Sequence, residues 1–413
     1  MTESTRPGTA LRGKEDETLK VAIDVGGTFT DVVAVDGGGL RHFKVPTTPA
    51  DPTTGVLDAL ARLSRQAERL AHGTTVATNT LLTRTGARVG LVATEGFRDI
   101  LEIGRQNRPR LYERHVARPS PLVSRPLRHE VDERIGPTGE VERALQPRTV
   151  LSVAEGLKVA GVEAVAVCLL HSYANRAHED VVAARLTEIL GVPVVCSADV
   201  APEFREFERT STTVLSAYLG QKVSGYLGRL QEAVKVPVDV MLSSGGLMDA
   251  RDAGGHAAAL LLSGPAGGAH AAAVVAAASG FPSAISFDVG GTSTDVCLVR
   301  DGAPEWSADH VVDGYPCRLP ALSIHTVGAG GGSAAWLDDG GALRVGPESA
   351  GADPGPVAYG RGGTAVTLTD AHLVLGRLPR ALPGLKELDV DGARSALSAL
   401  GRTAGLDAIA TAS

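Results

Sequence analysis

The chain has 413 residues, of which 43% are hydrophobic and only 4% aromatic, and its formal net charge is −7. That length accommodates about two or three domains with cores of their own. The acidic balance, without any dense Lys/Arg cluster interleaved with aromatics, argues against nucleic acid as a partner.

Residues 1–18 are polar and charged and read as a disordered tail rather than an export signal. Residues 19–35, LKVAIDVGGTFTDVVAV, place apolar runs on both sides of a glycine pair, the pattern of two strands joined by a tight turn. His72-Gly73-Thr74-Thr75 ends a short strand and leads into the helix-like VATNTLLTR, and residues 89–94 form a further buried strand. Between Gly104 and Gly136 the chain is rich in Arg, Pro and His without a period, and is predicted to be an elaborated loop.

Residues 162–170 (VEAVAVCLL) have the unbroken apolar character of a central parallel strand, followed by a helix over 179–190 and a strand over 192–196. An amphipathic helix from near Thr210 through VLSAYLGQKVSGYLGRLQ is predicted to link the two halves. The second half opens with a strand over 238–242 and a Ser243–Gly246 loop. Residues 257–278 are the most apolar stretch, but Ser263–Gly268 (SGPAGG) interrupts it, so it reads as strand, loop and buried helix and not as a membrane span. DVDGARSALSAL, 389–400, is helix-like. Cys168, Cys196, Cys297 and Cys317 are far apart and without metal-type spacing, which fits a reduced, cytoplasmic protein. The alternation of strands and helices defines an α/β fold, divided here into 19–205 and 206–413.

The chemistry lies in a repeat. Asp24-Val25-Gly26-Gly27-Thr28-Phe29-Thr30-Asp31 recurs 264 residues later as Asp288-Val289-Gly290-Gly291-Thr292-Ser293-Thr294-Asp295. Seven of the eight positions are identical. Each copy follows one apolar strand and precedes another, so two similar lobes are expected to face each other across a nucleotide cleft. Gly26, Gly27, Gly290 and Gly291 allow backbone N–H groups to approach phosphate oxygens. The hydroxyls of Thr28, Thr30, Thr292 and Thr294 either add donors or satisfy strand edges, and Asp24 and Asp288 suit a hydrated cation. A single D-G-G reads equally well as an ordinary hairpin turn; two near-identical copies weaken that reading. Asp31 and Asp295 rank lower because a carboxylate that starts a strand is often structural.

His72, at a strand end, either faces the cleft or is a satisfied core histidine. His325 precedes a glycine loop containing Gly328, Gly330, Gly331 and Gly332, which resembles a phosphate-type loop. Arg105, Asn107 and Arg108 are candidates for substrate contact on a surface loop.

These two motifs resemble those of the actin, sugar-kinase and heat-shock-chaperone ATPase superfamily. HGTTVATNTLL (72–82), GFRDILEIGRQNRP (96–109), EVDERI (130–135), ERTSTTVLSAYLG (208–220), LSSGGLM (242–248), LLSGPAGG (261–268), IHTVGAGGGS (324–333) and LRVGPESAGADPGP (343–356) narrow the resemblance to the hydantoinase A/5-oxoprolinase family. The resemblance implies an actin-like (ribonuclease H-like) two-lobed ATPase fold that uses ATP and Mg2+. It further implies a hydantoinase B-type subunit as partner in a hetero-oligomer, and a small cyclic amide or ketone as substrate. Asp24, Asp288 and His72 are the expected catalytic residues, with magnesium held through water by the two aspartates. Family members usually run on through a later glycine-rich loop and helices that enclose the adenosine, so the second lobe is expected to be incomplete here. The family pattern also has Asp where Ser323 stands and Cys where Ala358 stands. A sugar kinase, or a non-catalytic ATP-sensing or assembly subunit, are the competing readings.

Overall fold

Strand alternation at the first repeat produces the hairpin it implies. In the computed structural model, which describes residues 19–26, 29–36, 39–47, 52–63, 67–107, 112, 119–351, 353–381, 387–402 and 405–413, Leu19–Val25 pairs antiparallel with Phe29–Asp36. Leu19, Val21, Ile23 and Val25 occupy alternate positions and all are buried, while the residues between them are exposed. Gly39–Pro46 extends the sheet beyond Phe29–Asp36. On the other side of Leu19–Val25 lies the parallel strand Ala67–Thr74, then parallel Val238–Met241, with antiparallel Leu247–Asp249 at the edge. The first sheet thus has six strands.

The sheets do not follow the sequence division at 205/206. The 29-residue helix Glu206–Val234 carries the chain back beneath the first sheet, so that Val238–Met241 pairs with Ala67–Thr74. The first lobe therefore takes residues from both sequence halves.

The second sheet is parallel, in the order Val194–Cys196, Ala164–Cys168, Val89–Thr94, Arg128–Val131. Every residue of Ala164–Cys168 and of Val89–Thr94 is buried, which is why these strands read as unbroken apolar runs. Arg128–Val131 lies inside the stretch expected to be loop. Its sequence, RHEV, carries no strand signal, and the neighbour Leu91–Thr94 supplies the register.

The long helix is not amphipathic at its start: residues 209–219 are buried without a break. Its hydroxyls are satisfied locally, with Thr212 Oγ1 donating to the Glu208 carbonyl at 2.7 Å and Thr213 Oγ1 to the Arg209 carbonyl at 2.8 Å. Arg209 is 1% exposed and donates to Leu169 O, Ser172 Oγ and Ser197 Oγ, while Glu179 accepts from the Leu169 and Ala198 amides and from Ser197. This buried charge network ties the second sheet to the central helix.

In the second half, Ala284–Val289 pairs antiparallel with Thr294–Arg300, which also pairs with Ile324–Val327 and with Ala303–Pro304. The other edge of Ala284–Val289 has no strand partner among the described residues. Residues 257–278 contain no strand, contrary to expectation: a short 3-10 turn, Ala257–Leu260, leads to the helix Ser263–Ala278. The SGPAGG sequence forms the first turns of that helix, where Pro265 needs no N–H partner. A separate small core gathers Leu373, Ala393 and Leu397 around the helices Leu368–Val374 and Val390–Gly401.

Candidate functional site

Both repeats fold in the same register. Asp24 stands opposite Asp31 and Val25 opposite Thr30; Asp288 stands opposite Asp295 and Val289 opposite Thr294. Each motif therefore begins and ends on one cross-strand aspartate pair. The carboxylate of Asp24 opens to solvent at the mouth of a cleft but has protein crowded around its other sides. Loss of water raises its pKa above the ordinary carboxylate value, the charges of Asp31 and Asp288 raise it further, and Lys44 pulls it down. Asp288 is near enough to act on this carboxylate, and the helix Ser263–Ala278 borders Asp24 at Gly264 and Asp288 further along, so the two motifs approach each other.

Two glycines border Asp24, and Gly73 makes room for it. A Cβ added to Gly73 would lie 2.3 Å from Asp24 Oδ1, and one on Gly264 would lie 3.8 Å from it. Gly264 is in the first turn of Ser263–Ala278, so the positive end of a 16-residue helix borders the same carboxylate. The helix start is anchored by Ser263 Oγ, which donates to the Thr74 carbonyl at 3.2 Å, and by Thr78 Oγ1, which accepts from the Leu262 amide at 3.0 Å. Gly73 and the Ser263-Gly264 pair were absent from the expected site residues, although both stand within glycine-containing motifs whose close backbone approach was the available signal.

The second threonine of each motif braces its own turn. Thr30 is fully buried and its hydroxyl meets Thr47 Oγ1 at 3.1 Å, and Thr47 Oγ1 donates to the Gly26 carbonyl at 2.9 Å. Thr294 Oγ1 donates to the Ala329 carbonyl at 2.5 Å. In both lobes, the partner lies just past the third strand. Thr30 and Thr294 thus brace the turns, the second of the two roles open to them. The last aspartates are likewise occupied: Asp31 meets Lys44 at 2.6 Å, and Asp295 accepts from Thr326 at 2.6 Å.

The glycine loop after His325 packs on the second turn. Gly331 N–H donates to the Gly290 carbonyl at 2.9 Å, Gly332 N–H to the Gly291 carbonyl at 2.6 Å, and Gly330 N–H to Ser333 Oγ at 2.9 Å. A Cβ on Gly330 would stand 2.7 Å from the Gly290 carbonyl oxygen. At Gly330 and Gly332 a Cβ would meet backbone and at Gly331 the Thr369 hydroxyl, and the N–H groups of all three are spent within the protein. This corrects their expected role as phosphate donors. Gly290, Gly291 and Thr292 at the turn, with Gly328, remain exposed. Gly27, Thr28 and Arg108 lie outside the described residues.

His72 is a core residue. It is 1% exposed, its Nδ1 meets the Ile23 carbonyl at 3.1 Å and its Nε2 the Tyr226 hydroxyl at 2.9 Å. Burial lowers its pKa to about 4, so the ring is neutral, and both of its nitrogens are occupied by protein partners. The expectation of a catalytic His72 is corrected: in the strand it shares the face of Ile23, and it is the next residue, Gly73, that borders Asp24. His325 is exposed. Arg105 forms a two-point ion pair with Glu208 (Nε to Oε1, 2.7 Å), which removes it as a ready carboxylate receptor. Ser323 is exposed, whereas Ala358 is buried in the small core with its amide donating to Asp370 Oδ1 at 2.7 Å, away from the cleft.

Among the described residues no group of three or more His, Cys, Asp and Glu gathers as a metal cage, and no helix is long and apolar enough to cross a membrane. All four cysteines are buried and free.

Duplicated Asp-Val-Gly-Gly hairpins that face each other from two α/β lobes define the actin-like class. Sequence models place the family: the N-terminal region of hydantoinase/oxoprolinase matches residues 20–190 and hydantoinase/oxoprolinase matches residues 209–413. The chain belongs to the hydantoinase/oxoprolinase family. It is 37% identical to the caprolactamase subunit alpha of Pseudomonas jessenii, over 88% of this chain and 55% of that protein. It is 36% identical to 5-oxoprolinase 1 of Arabidopsis thaliana, over 95% of this chain and 34% of that protein. Among solved structures, nucleotide-free acetone carboxylase, an ATP-dependent enzyme, is similar with a TM-score of 0.79 at 30% identity, over 95% of this chain and 60% of that one. The chain thus spans between a third and three-fifths of the length of these relatives.

Proposed function

We propose that this chain provides the phosphate-handling cleft of an ATP-dependent enzyme that opens a cyclic amide, such as 5-oxoproline, a hydantoin or a related lactam, by phosphorylating it. The observation that carries this reading is the facing of Asp24 and Asp288 from two hairpins of identical register. An amide resists water because nitrogen donates into the carbonyl and neither substituent leaves readily. Attack of the amide oxygen on the γ-phosphorus of ATP forms an O–P bond and releases ADP, and water then adds to the carbon of the resulting imidate phosphate. Cleavage of the ring C–N bond, with a proton to the leaving nitrogen, gives an acyl phosphate, and attack of a second water on its carbonyl carbon releases phosphate and the open-chain carboxylate.

In this reading the exposed Gly291 N–H and the Thr292 hydroxyl bind phosphate oxygens, the Gly290 N–H being held by the Ser293 carbonyl at 2.8 Å, with Gly26 playing the matching part in the first lobe. The braces from Thr30, Thr294 and Gly330–Gly332 keep these groups in place before the nucleotide arrives. Two carboxylates without a third protein ligand fit a magnesium ion held largely by water and phosphate. Bound with the nucleotide, magnesium supplies charge neutralisation, and Asp24 and Asp288 are the residues to hold it. The crowding that raises the pKa of Asp24 is relieved by such a cation.

A B-type partner in a cytoplasmic hetero-oligomer is part of the proposal. The similarity to acetone carboxylase supports a second reading, in which the same phosphorylation activates a ketone for carboxylation. Both are tested with the purified chain and its partner by measuring ADP release against 5-oxoproline, hydantoin, caprolactam and acetone. With a carbonyl-18O lactam, the reading requires the label to appear in inorganic phosphate. ADP release indifferent to every carbonyl compound, with ATP binding intact, overturns it in favour of a nucleotide-sensing subunit.

A further inference from the structure

Four neighbouring strands carry one row of residues across the first lobe. Gly73 on Ala67–Thr74, Asp24 on Leu19–Val25, Asp31 on Phe29–Asp36 and Lys44 on Gly39–Pro46 are successive register partners. Register partners point to the same face of a sheet, so the row sets two carboxylates and an ammonium side by side. Lys44 Nζ meets Asp31 Oδ1 at 2.6 Å, and both side chains are half-exposed. The charges of Lys44 and of Asp288 in the second motif both act on the Asp24 carboxylate, so the ammonium belongs to the same electrostatic site as the two motifs.

The second lobe repeats the row with one change. Asp288 stands opposite Asp295, and Asp295 opposite Thr326. Val45 stands beside Thr30 as Val327 stands beside Thr294, so Thr326 occupies the position of Lys44. Thr326 Oγ1 donates to Asp295 Oδ1 at 2.6 Å. A hydroxyl therefore satisfies the aspartate of this motif without any charge, and an exposed ion pair at the matching place adds little to stability. The positive charge of Lys44 is left for another use.

A triphosphate is unevenly charged. Its terminal phosphate, with a second pKa of about 6, carries nearly two negative charges at neutral pH, and each inner phosphate carries one. Of two otherwise similar hairpins, the one with the added cation suits the terminal group. During transfer the bond from the γ-phosphorus to the bridging oxygen breaks, its electron pair leaves on ADP, and the amide oxygen takes the vacated position. The other γ-oxygens keep their negative charge throughout, and an ammonium beside them lowers the barrier without giving up a proton. The flexible four-carbon stem of lysine allows that reach.

We infer that Lys44 is a catalytic residue whose ammonium turns from Asp31 to the γ-phosphate, which makes the first hairpin the γ-phosphate end of the cleft. This assignment rests on the ATP-dependent transfer proposed above. The test uses the full chain with its partner and compares Lys44→Met, Lys44→Arg and Asp31→Asn with the parent. Calorimetric titration with ADP and with the non-hydrolysable β,γ-imido analogue of ATP reads binding, and carbonyl-stimulated ADP release reads kcat. In Lys44→Met the analogue is expected to bind about ten- to a hundredfold more weakly while ADP binding holds, and kcat to fall about a hundred- to a thousandfold. Lys44→Arg recovers part of both, and Asp31→Asn binds the analogue at least as tightly as the parent. Parent-like binding and kcat in Lys44→Met overturn the assignment. A loss shared equally by ADP and the analogue overturns the γ-phosphate end. Equal losses in Lys44→Met and Asp31→Asn make Lys44 a structural partner of Asp31 and overturn it too. If no carbonyl compound stimulates ADP release, the proposed function fails, and the titrations alone decide Lys44, a parent that binds neither nucleotide overturning it.

Discussion

Gly73 and Asp24 contend for one volume: a Cβ on Gly73 would stand 2.3 Å from Asp24 Oδ1 and 3.1 Å from its carboxyl carbon. The two residues are register partners in neighbouring parallel strands, so neither backbone moves away easily. Gly73→Ala therefore displaces the Asp24 carboxylate. The expected loss is about a hundredfold in ATP turnover, as for other small misplacements of a reacting group, with a stability cost of about 1–3 kcal/mol. Gly255→Ala, where nothing lies within 4 Å of the added carbon, is the control and leaves both unchanged. Steady-state ADP assays and thermal melting measure the pair. Full turnover in Gly73→Ala places Asp24 outside the reaction.

The facing aspartates are to be tested directly. Asp24→Asn removes a charge that its surroundings disfavour, so melting temperature is expected to hold or rise while magnesium-dependent turnover is lost, and Asp288→Asn is expected to lose the same turnover. A fall in melting temperature together with normal turnover would make these carboxylates structural.

His72 gives the fold a pH signature. Its pKa falls from an ordinary 6.5 to about 4, so the unfolded chain binds a proton that the folded chain refuses between those values. Stability contributed by the neutral ring is complete above the unfolded pKa and is lost as pH falls from 6.5 towards 4, by up to about 3 kcal/mol. His72→Gln, compared with the parent by urea unfolding across that range, flattens the dependence. Identical slopes in both proteins would mean that other groups carry it.

Much of this was legible in the residues. The hairpins, the buried parallel strand Ala164–Cys168 and the long helix follow from alternation, unbroken apolar runs and helical spacing. The roles of individual glycines and threonines were not, because a motif records which residue types are needed and not which side they serve. Gly331 and Gly332 have the composition of a phosphate loop, yet their N–H groups meet the carbonyls of Gly290 and Gly291, a contact between segments some forty residues apart in the chain. His72 failed for a simpler reason: alternate residues of a strand face opposite sides, and one position separates the cleft from the core. Arg128–Val131 became a strand through its neighbour's register, which no local signal announces.

The Arg209–Glu179 network is expected to be unforgiving. Arg209 Nη2 lies 3.8 Å from Glu179 Oε1, and both side chains are almost wholly buried. Arg209→Met leaves Glu179, whose pKa burial already raises, without its cation, at a cost of about 3–5 kcal/mol. Replacing both together, Arg209→Met with Glu179→Leu, is expected to recover part of that loss. Urea denaturation of the three variants measures the coupling, and additive losses would deny it.

The last prediction concerns one strand position seen twice. Shifted by the repeat, Val21, Ile23 and Val25 correspond to Ile285, Phe287 and Val289. The first three are 2%, 0% and 4% exposed; the second three are 67%, 69% and 54% exposed. Two things differ: Leu19–Val25 has the parallel strand Ala67–Thr74 along its edge and its apolar face in the main core, whereas among the described residues Ala284–Val289 has an unpaired edge and an apolar face outside either core. An apolar strand with open hydrogen-bonding groups is a site of edge-to-edge association. The 413-residue chain by itself is therefore expected to associate with rising concentration and to bind a hydrophobic dye. Phe287→Thr should reduce both without lowering the melting temperature, while Ile23→Thr, at the matching position of the first lobe, should cost about 2–4 kcal/mol. Sedimentation velocity and dye fluorescence on the two variants provide the measurement. A parent chain that stays monodisperse and dye-free at high concentration would mean that this face is covered in solution.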